Sequence, residues 1–411
     1  MAVKPVAVGK AEVASPREVK GGLWGWLWPE NGAISPIPAL DGLRALAVVL
    51  VLLFHAWSDI PDGGGLFISA DNPNPLNYGR TGVQLFFVLS GFLLFLPYAH
   101  WLFGLQGRPS VRLFYKRRAL RVGPAYWASL LILALAAGPL TLTTLYDVLL
   151  HIFFISNVSA STASTFNTVY WTMAVEVQFY VVLPLLGWLI VWLGRRFGAA
   201  VAALSVIVAL QLLSIASEGL DQLNQRSHRI PFDTTGLIGT FSLSSWIGVF
   251  SAGIACSILY VYLTRVARIA ASQRIQRLAT AAFVLGAGSA LTIACVPALH
   301  GLLLKWLLFG WAYAGLLVGI LLGAPLLRRP FESVPLRFVG LISYSVYLWH
   351  SVMLRVLEIH LPAFGSPALH VIVRFVLGGV LAVAVAYVSY QLVERPFMRA
   401  RRQAHEAGSA A

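Results

Sequence analysis

An arginine and a histidine lie in one long apolar segment near the beginning of the sequence. Arg44 and His55 are eleven positions apart, which at about 100° per residue is close to three full turns of an α-helix. Both side chains should therefore project from one helix face, roughly 16 Å apart along the axis. A neutral histidine can take a proton from a hydroxyl group, and an arginine can bind phosphate groups. The pair predicts proton transfer on an elongated ligand.

Ionisable side chains inside other apolar segments are the next candidates. Placing such a group at the centre of a membrane helix costs roughly 2.5–3.5 kcal/mol, so each one suggests a function. Glu176 and His350 meet this criterion, and their depth in the predicted helices approaches that of His55. They could supply an orienting carboxylate and a second donor to a histidine base. Structural alternatives stay open, because either histidine could be a buried hydrogen-bond partner and Glu176 could neutralise a buried arginine.

The elements that must position these residues are transmembrane helices. The 411 residues are 58% hydrophobic and 11% charged, whereas about 25% of a soluble domain is charged. Apolar stretches recur at close to the ~20 residues that a helix needs to cross a bilayer. We predict an all-α polytopic membrane helix bundle of about ten transmembrane helices, with an additional interfacial helix within 141–157. The spans are predicted near 38–57, 82–103, 121–138, 169–193, 197–217, 242–263, 278–298, 302–324, 337–359 and 368–392.

The distribution of basic residues predicts the topology. The net charge of +14 falls mainly in alternate short connections, so we expect those connections, both termini and the basic run 108–121 in the cytoplasm. This distribution does not suggest a nucleic-acid partner. We predict a multi-pass protein of the cell inner (cytoplasmic) membrane with a cytoplasmic or interfacial tail over 1–37, a transmembrane domain over 38–396 and a cytoplasmic tail over 397–411. Cys256 and Cys295 lie in apolar segments, so no metal site is predicted.

A second class of function remains compatible with these residues. A proton-coupled membrane transporter or lipid-linked glycan flippase could use His55 and Glu176 as a proton relay. The sequence shows no similarity between its halves of the kind that inverted-repeat transporters often carry. Turnover of an acyl donor would distinguish an enzyme from such a carrier.

Six motifs occur in order along the chain. They are Leu40 to His55 with ten residues between Arg44 and His55, Gly82 to Phe92, Phe114 to Tyr126 with Arg118 and Arg121, Tyr170 to Tyr180 with Glu176, Ile342 to His350, and Val393 to Pro396. With these motifs the chain resembles the acyltransferase-3 family of integral-membrane O-acyltransferases, over roughly residues 38–400. Two mild departures are Gln84, where members often have Asp, and Thr172-Met173, which replaces Ser-Leu.

The resemblance implies an acyl-CoA co-substrate, no further cofactor, and a hydroxyl-bearing glycan, lipid or small-molecule acceptor that receives an acyl group, expected to be acetyl. We predict His55, Glu176 and Arg44 as catalytic residues, with His55 as general base or as the site of a covalent acyl intermediate. Arg118, Arg121 and Arg44 are predicted to bind the CoA phosphates. Acceptor or oxyanion contacts are predicted for Ser343, Tyr344 and His350. Glu394-Arg395-Pro396 is expected to close the last helix.

Overall fold

The structure, a computed structural model, describes residues 37–58, 75–138, 141–159, 161–227, 239, 241–296, 299, 304–361 and 366–398. Within these ranges it is helical and contains no strand. Its principal α-helices are α1 (Pro38–Ser58), α2 (Gly82–Leu102), α3 (Val111–Ala136), α4 (Leu142–Ile152), α5 (Tyr170–Phe197), α6 (Ala199–Ser227), α7 (Leu243–Val261), α8 (Gln273–Cys295), α9 (Lys305–Leu322), α10 (Val334–Leu341), α11 (Ser343–His360) and α12 (Pro367–Ser389). The predicted tails lie outside the described residues, except for Ile37 and residues 397–398.

The predicted membrane bundle is confirmed. In the described part of the chain, nine helices are long and apolar enough to cross a membrane, namely α1, α2 with the 3₁₀ turn Pro75–Thr81 before it, α3, α5, α6, α7, α8, α9 and α12. The ninth predicted span, 337–359, differs from the expectation because the chain breaks at Ile342 between α10 and α11. Serines, His350, Arg355 and Glu358 leave α11 without an 18-residue stretch as apolar as those of the nine spans. It packs inside the bundle against α1 and α12.

The basic run after α2 lies on a helix and not in a connection. Helix α3 begins at Val111, ten residues earlier than predicted, and the Ser110 hydroxyl caps it by accepting from the Leu113 amide at 3.3 Å. The prediction of a basic loop over 108–121 was therefore wrong for most of its length. Because the run is helical, its basic side chains lie on different faces of α3. Arg112 is exposed, whereas Arg118 and Arg121 are partly buried against the bundle.

The last helix does not end at the predicted position. Helix α12 continues through a π-helical turn, Tyr390–Glu394, into a helical stretch that reaches Met398. Pro396 therefore lies within helical residues, and Glu394 is only 3% exposed. The expectation that this segment closes the helix was wrong. A π turn shifts the side chains after it around the helix axis, and such turns are frequent at functional sites.

Helix α1 lies at the centre of the arrangement. It packs against α2, α10, α11, α12 and the 3₁₀ turn before α2. Glycines allow the closest approaches, because a Cβ on Gly340 would overlap the backbone oxygen of Asp41 and one on Gly82 would overlap that of Ala47. The helix is continuous from Pro38 to Ser58, so Arg44 and His55 do lie three turns apart on one face. Below, the two ends of the bundle are called the Arg44 end and the His55 end.

The short helix α4 has the length and position expected of an interfacial helix. It covers 11 residues and is too short to cross a bilayer. Its leucines are largely exposed, while Asp147 and His151 are buried. The polar residues that interrupt this apolar stretch therefore face the protein, and the apolar ones face outward.

Candidate active site

An arginine cluster occupies the Arg44 end. Arg44 donates from Nη1 to Asp41 Oδ1 at 3.0 Å, and its side chain is 21% accessible. Arg118 and Arg121 from α3 interact electrostatically with Arg44. The three arginines that were predicted to bind an acyl donor are thus brought together from two helices that are far apart in sequence.

Besides Asp41 on α1, carboxylates on two other segments interact with this arginine cluster. Glu176 on α5 accepts from Ser90 Oγ at 2.9 Å and from the Tyr180 hydroxyl at 2.5 Å. Glu176 also interacts electrostatically with Arg44 and Arg118. Three arginines in a low-dielectric interior would otherwise repel one another. The carboxylates fix the guanidinium groups in place before any ligand binds.

Glu394, after α12, is the third carboxylate of the cluster, beside Asp41 and Glu176. It accepts a hydrogen bond from the hydroxyl of Ser345 and interacts electrostatically with Arg121. Its burial follows from the π turn, which carries the last helix back against α3. The cluster thus draws on both ends of the described chain, from α1 to the residues after α12.

Two histidines meet at the His55 end. The rings of His55 and His350 lie 5.1 Å apart between centroids, with 59° between their planes. His350 Nδ1 lies 2.8 Å from the carbonyl oxygen of Tyr347, which can only accept, so Nδ1 carries the proton of the neutral ring and Nε2 keeps its lone pair. His350 is fully buried, whereas His55 is partly accessible.

Helix α11 is tied to α5 beside His350. Asn167, just before α5, donates from Nδ2 to the carbonyl of Leu348 at 2.8 Å and accepts from the Ser351 hydroxyl at 2.7 Å. About one turn further along α5, the Thr172 hydroxyl is hydrogen-bonded to the Tyr347 hydroxyl of α11 at 2.7 Å. These bonds flank His350 on both sides along α11. They position its ring against α1.

Glu176 lies elsewhere than its predicted depth suggested. Its hydrogen bonds go to Ser90 and Tyr180, within the arginine cluster, and the ring beside His55 is that of His350. The structure therefore places Glu176 where it can orient Arg44 and Arg118. The partnership of Glu176 with His55 stays a prediction.

The three predicted acceptor contacts do not form one group. Ser343 donates to the Gly340 carbonyl at 2.8 Å, and the Tyr344 hydroxyl donates to the Val122 carbonyl at 2.7 Å. Both residues begin α11, roughly 10 Å along the axis from His350. Their hydroxyls are engaged in hydrogen bonds to the backbone, and only His350 lies at the His55 end. Their roles toward a ligand remain predictions.

Partly accessible side chains line the space between the two ends. Arg44, Phe86, Ser90, Glu176 and Tyr344 keep some exposure, although the residues next to them on each helix are mostly buried. The hydrogen bond between Ser90 and Glu176 shows that α2 and α5 face each other here. We expect these residues to line the path between the two ends.

Five residues of the site were not identified from the sequence. Asp41 and Tyr180 could have been, since they lie three and four positions from Arg44 and Glu176, the spacing of neighbours on a helix. Ser90 and Glu394 meet their partners across helices, and no local spacing reveals that. Asn167 reads in sequence as an ordinary polar residue before a helix.

Comparison with known proteins identifies the family of this chain. The family model of the acyltransferase-3 family, described as an acyltransferase domain, matches residues 37–391. The chain is 26% identical over 401 residues to the peptidoglycan O-acetyltransferase OatA of Listeria monocytogenes, covering 88% of this chain and 56% of that protein. It is 24% identical over 392 residues to the O-acetyltransferase OatA of Staphylococcus aureus, covering 88% and 57%.

The chain thus spans little more than half the length of these curated relatives. No solved structure gives a significant match. The family match extends over the arginine cluster from Arg44 to Arg121, over Glu176 and over the histidine pair, and ends three residues before Glu394. The chain belongs to the acyltransferase-3 family.

Proposed function

We propose that this protein transfers an acyl group, in the first place acetyl, from acyl-CoA to a hydroxyl group of a glycan. The observation that carries the proposal is the continuous helix α1, which holds Arg44 in a cluster of three arginines at one end and His55 against His350 at the other. An anion-binding end and a proton-accepting end on one cavity suit a long donor with a phosphorylated head and a reactive thioester.

The arginine cluster is the proposed binding site for the donor. Arg44, Arg118 and Arg121 offer planar guanidinium groups that bind phosphate oxygens in pairs. The pantetheine arm would then extend along α1 for roughly 16 Å and bring the thioester to His55. Since CoA is cytoplasmic, the proposal places the Arg44 end at the cytoplasmic face of the cell membrane, in keeping with the basic connections there.

The chemical step is proposed at His55. The acceptor hydroxyl attacks the thioester carbonyl carbon, its proton moves to the imidazole of His55, and a C–O bond forms as the C–S bond breaks. The CoA thiolate then takes the proton from His55, which restores the neutral base. His350, at 5.1 Å between ring centroids, is near enough to contact either the acceptor or His55.

The acceptor is the less specific part of the proposal. The Listeria relative is named a peptidoglycan O-acetyltransferase, and this supports a glycan acceptor over a lipid or a small metabolite. The identity in sequence is modest, and the match covers about half of that relative. We therefore propose the class, a hydroxyl-bearing glycan, and not a particular polymer.

The proposal is tested with the purified full chain in nanodiscs, using acetyl-CoA labelled in its acetyl group and a set of glycan acceptors. Transfer of label to a hydroxyl, with release of one CoA per ester formed, is the expected result. Proton-coupled flux of a glycan across vesicles without CoA release would instead show a carrier. Label retained on the denatured protein, and lost in His55→Ala, would establish a covalent acyl intermediate on His55.

A further inference from the structure

A cationic and aromatic surface at the His55 end takes no part in the mechanism above. The guanidinium carbon of Arg80 lies 4.5 Å from the ring centroid of Trp306, and Lys305 Nζ lies 5.0 Å from the same ring. Arg80 is exposed, and Trp306 is partly exposed. Two cations on one indole ring attract an anion more strongly than either would alone.

Within the described part of the chain, Arg80 is the cation of this surface that forms no salt bridge. Lys305 interacts electrostatically with Glu218, which balances it. Among the described residues, no carboxylate forms a salt bridge with Arg80, whose charge neighbours are Tyr78 and Lys305. A guanidinium group stacked by its face on an aromatic ring keeps its N–H groups free at the edge, in the geometry that carboxylates and phosphates match.

Further aromatic rings extend this surface. The rings of Trp246 and Trp306 lie 6.3 Å apart between centroids, and those of Trp171 and Trp246 lie 5.8 Å apart. Phe241 packs edge-on against Trp171 at 5.3 Å. The rings come from the starts of α5, α7 and α9 and the residues just before α7. Trp246 is buried and supports the partly exposed indoles of Trp171 and Trp306. Flat indole rings provide apolar surface that the C–H face of a pyranose ring can cover.

This surface is close to the proposed reaction centre. Gly79 packs directly against the carbonyl of Leu50 and the side chain of Phe54. Arg80 follows Gly79 and His55 follows Phe54 in sequence, so their Cα atoms lie within about 14 Å of each other. An oligosaccharide bound at Trp306 can therefore present a hydroxyl group to His55.

We propose that Arg80, stacked on Trp306, is an acceptor subsite that binds an anionic group on a pyranose-containing glycan, while the partly exposed indoles of Trp171 and Trp306 contact its sugar rings. This rests on the proposed function, since it names the class of acceptor. The subsite selects negatively charged glycans by a charge-assisted bidentate contact, and it lies apart from the arginine cluster that receives the donor.

Binding without any acyl donor tests the subsite independently of the reaction. The full chain in phosphatidylcholine nanodiscs is titrated with methyl β-glucuronide and with methyl β-glucoside, followed by tryptophan fluorescence and calorimetry. The glucuronide is expected to bind about tenfold or more tightly, since a hydrogen bond to a charged group contributes about 1.5–3 kcal/mol. Arg80→Gln is expected to remove this preference.

Arg195→Gln is the matched control. Arg195 also lies over an indole ring, that of Trp101 at 5.6 Å, but at the end of α5 away from His55. The Arg195→Gln variant should leave the preference for glucuronide unchanged. If Arg80→Gln fails to fold, Arg80→Lys keeps the charge but not the bidentate geometry, and a preference that stays undiminished in it counts against the subsite.

Three outcomes separate the explanations. Equal binding of both glycosides by wild type, or an unchanged preference in Arg80→Gln, overturns the subsite even if acyl transfer is observed. A preference that depends on Arg80 supports the subsite even if no glycan is acetylated, in which case the proposed function fails alone. A preference that vanishes in nanodiscs containing phosphatidylglycerol shows that Arg80 binds lipid phosphate and overturns the glycan assignment.

Discussion

The buried amide of Asn167 should matter for both stability and catalysis. Asn167→Ala removes its bonds to the Leu348 carbonyl and the Ser351 hydroxyl. Interhelical hydrogen bonds in membrane proteins contribute about 0.6 kcal/mol each on average and up to about 1.7 kcal/mol. Loss of the two should therefore lower the free energy of unfolding by about 1–3 kcal/mol. A thermal-shift assay in detergent would measure it.

The effect on catalysis follows from where these bonds attach. Leu348 and Ser351 flank His350 on α11, so losing both anchors lets the His350 ring shift against His55. A misplacement of about 1 Å costs up to about 10²-fold in rate. We expect kcat for acyl transfer to fall about tenfold to hundredfold, while KM for acyl-CoA changes less than about twofold, because the arginine cluster is at the other end.

Two variants make this prediction specific. Asn167→Asp keeps an oxygen for the Ser351 hydroxyl but loses the donor to Leu348, so its kcat should be intermediate. Asn157→Ala removes a similarly buried amide that bonds to the Phe241 carbonyl and to Gln178 but not to α11. It should lose comparable stability with kcat nearly unchanged. Full kcat in Asn167→Ala, or an equal loss in Asn157→Ala, would refute the reasoning.

Three further predictions follow from the site and its supports. Arg118→Lys or Arg121→Lys should raise KM for acyl-CoA about tenfold in steady-state assays with kcat little changed, since one charged bidentate contact is worth about 1.5–3 kcal/mol; unchanged KM in both would contradict donor binding there. Gly340→Ala should lower thermal stability and activity together, because its Cβ meets the backbone oxygen of Asp41 and overpacking costs about 1–3 kcal/mol. Burial lowers the pKa of His151 in the interfacial helix, so the unfolded chain binds a proton at this residue more readily, and stability should fall as pH drops below about 6.5. The melting temperature of His151→Gln should therefore decline less from pH 7.5 to 5.5 than that of wild type. An equal decline in the two proteins would contradict this.

The membrane fold could be predicted because its signals are local. Hydropathy and length identify each long span, and the helical period alone places Arg44 and His55 on one face of α1. The exception, α11, shows the limit of that reasoning. Polar side chains of α11 find partners on neighbouring segments, as the Ser351 hydroxyl does at Asn167. The hydropathy of α11 alone therefore does not predict its place inside the bundle.

The contacts between helices could not be predicted. Which residue of α5 faces Ser90 depends on the rotation and depth of two helices, and neither can be read from the spacing of residues within one helix. The basic residues before Arg121 resembled a topology signal because they are basic, although the Ser110 cap starts the helix there. Glu394 was assigned to a helix end, since sequence gives no sign of the π turn that buries it.

The central claim is that α1 carries a donor-binding end and a proton-accepting end of one acyltransferase site. The most direct measurement is the rate of acetyl transfer by purified, correctly inserted His55→Ala, together with its affinity for acetyl-CoA. We predict that His55→Ala transfers acetyl about 10²–10⁴-fold more slowly than wild type, the usual contribution of general acid–base catalysis, and binds acetyl-CoA as wild type does. Full acetyl transfer by His55→Ala would contradict it.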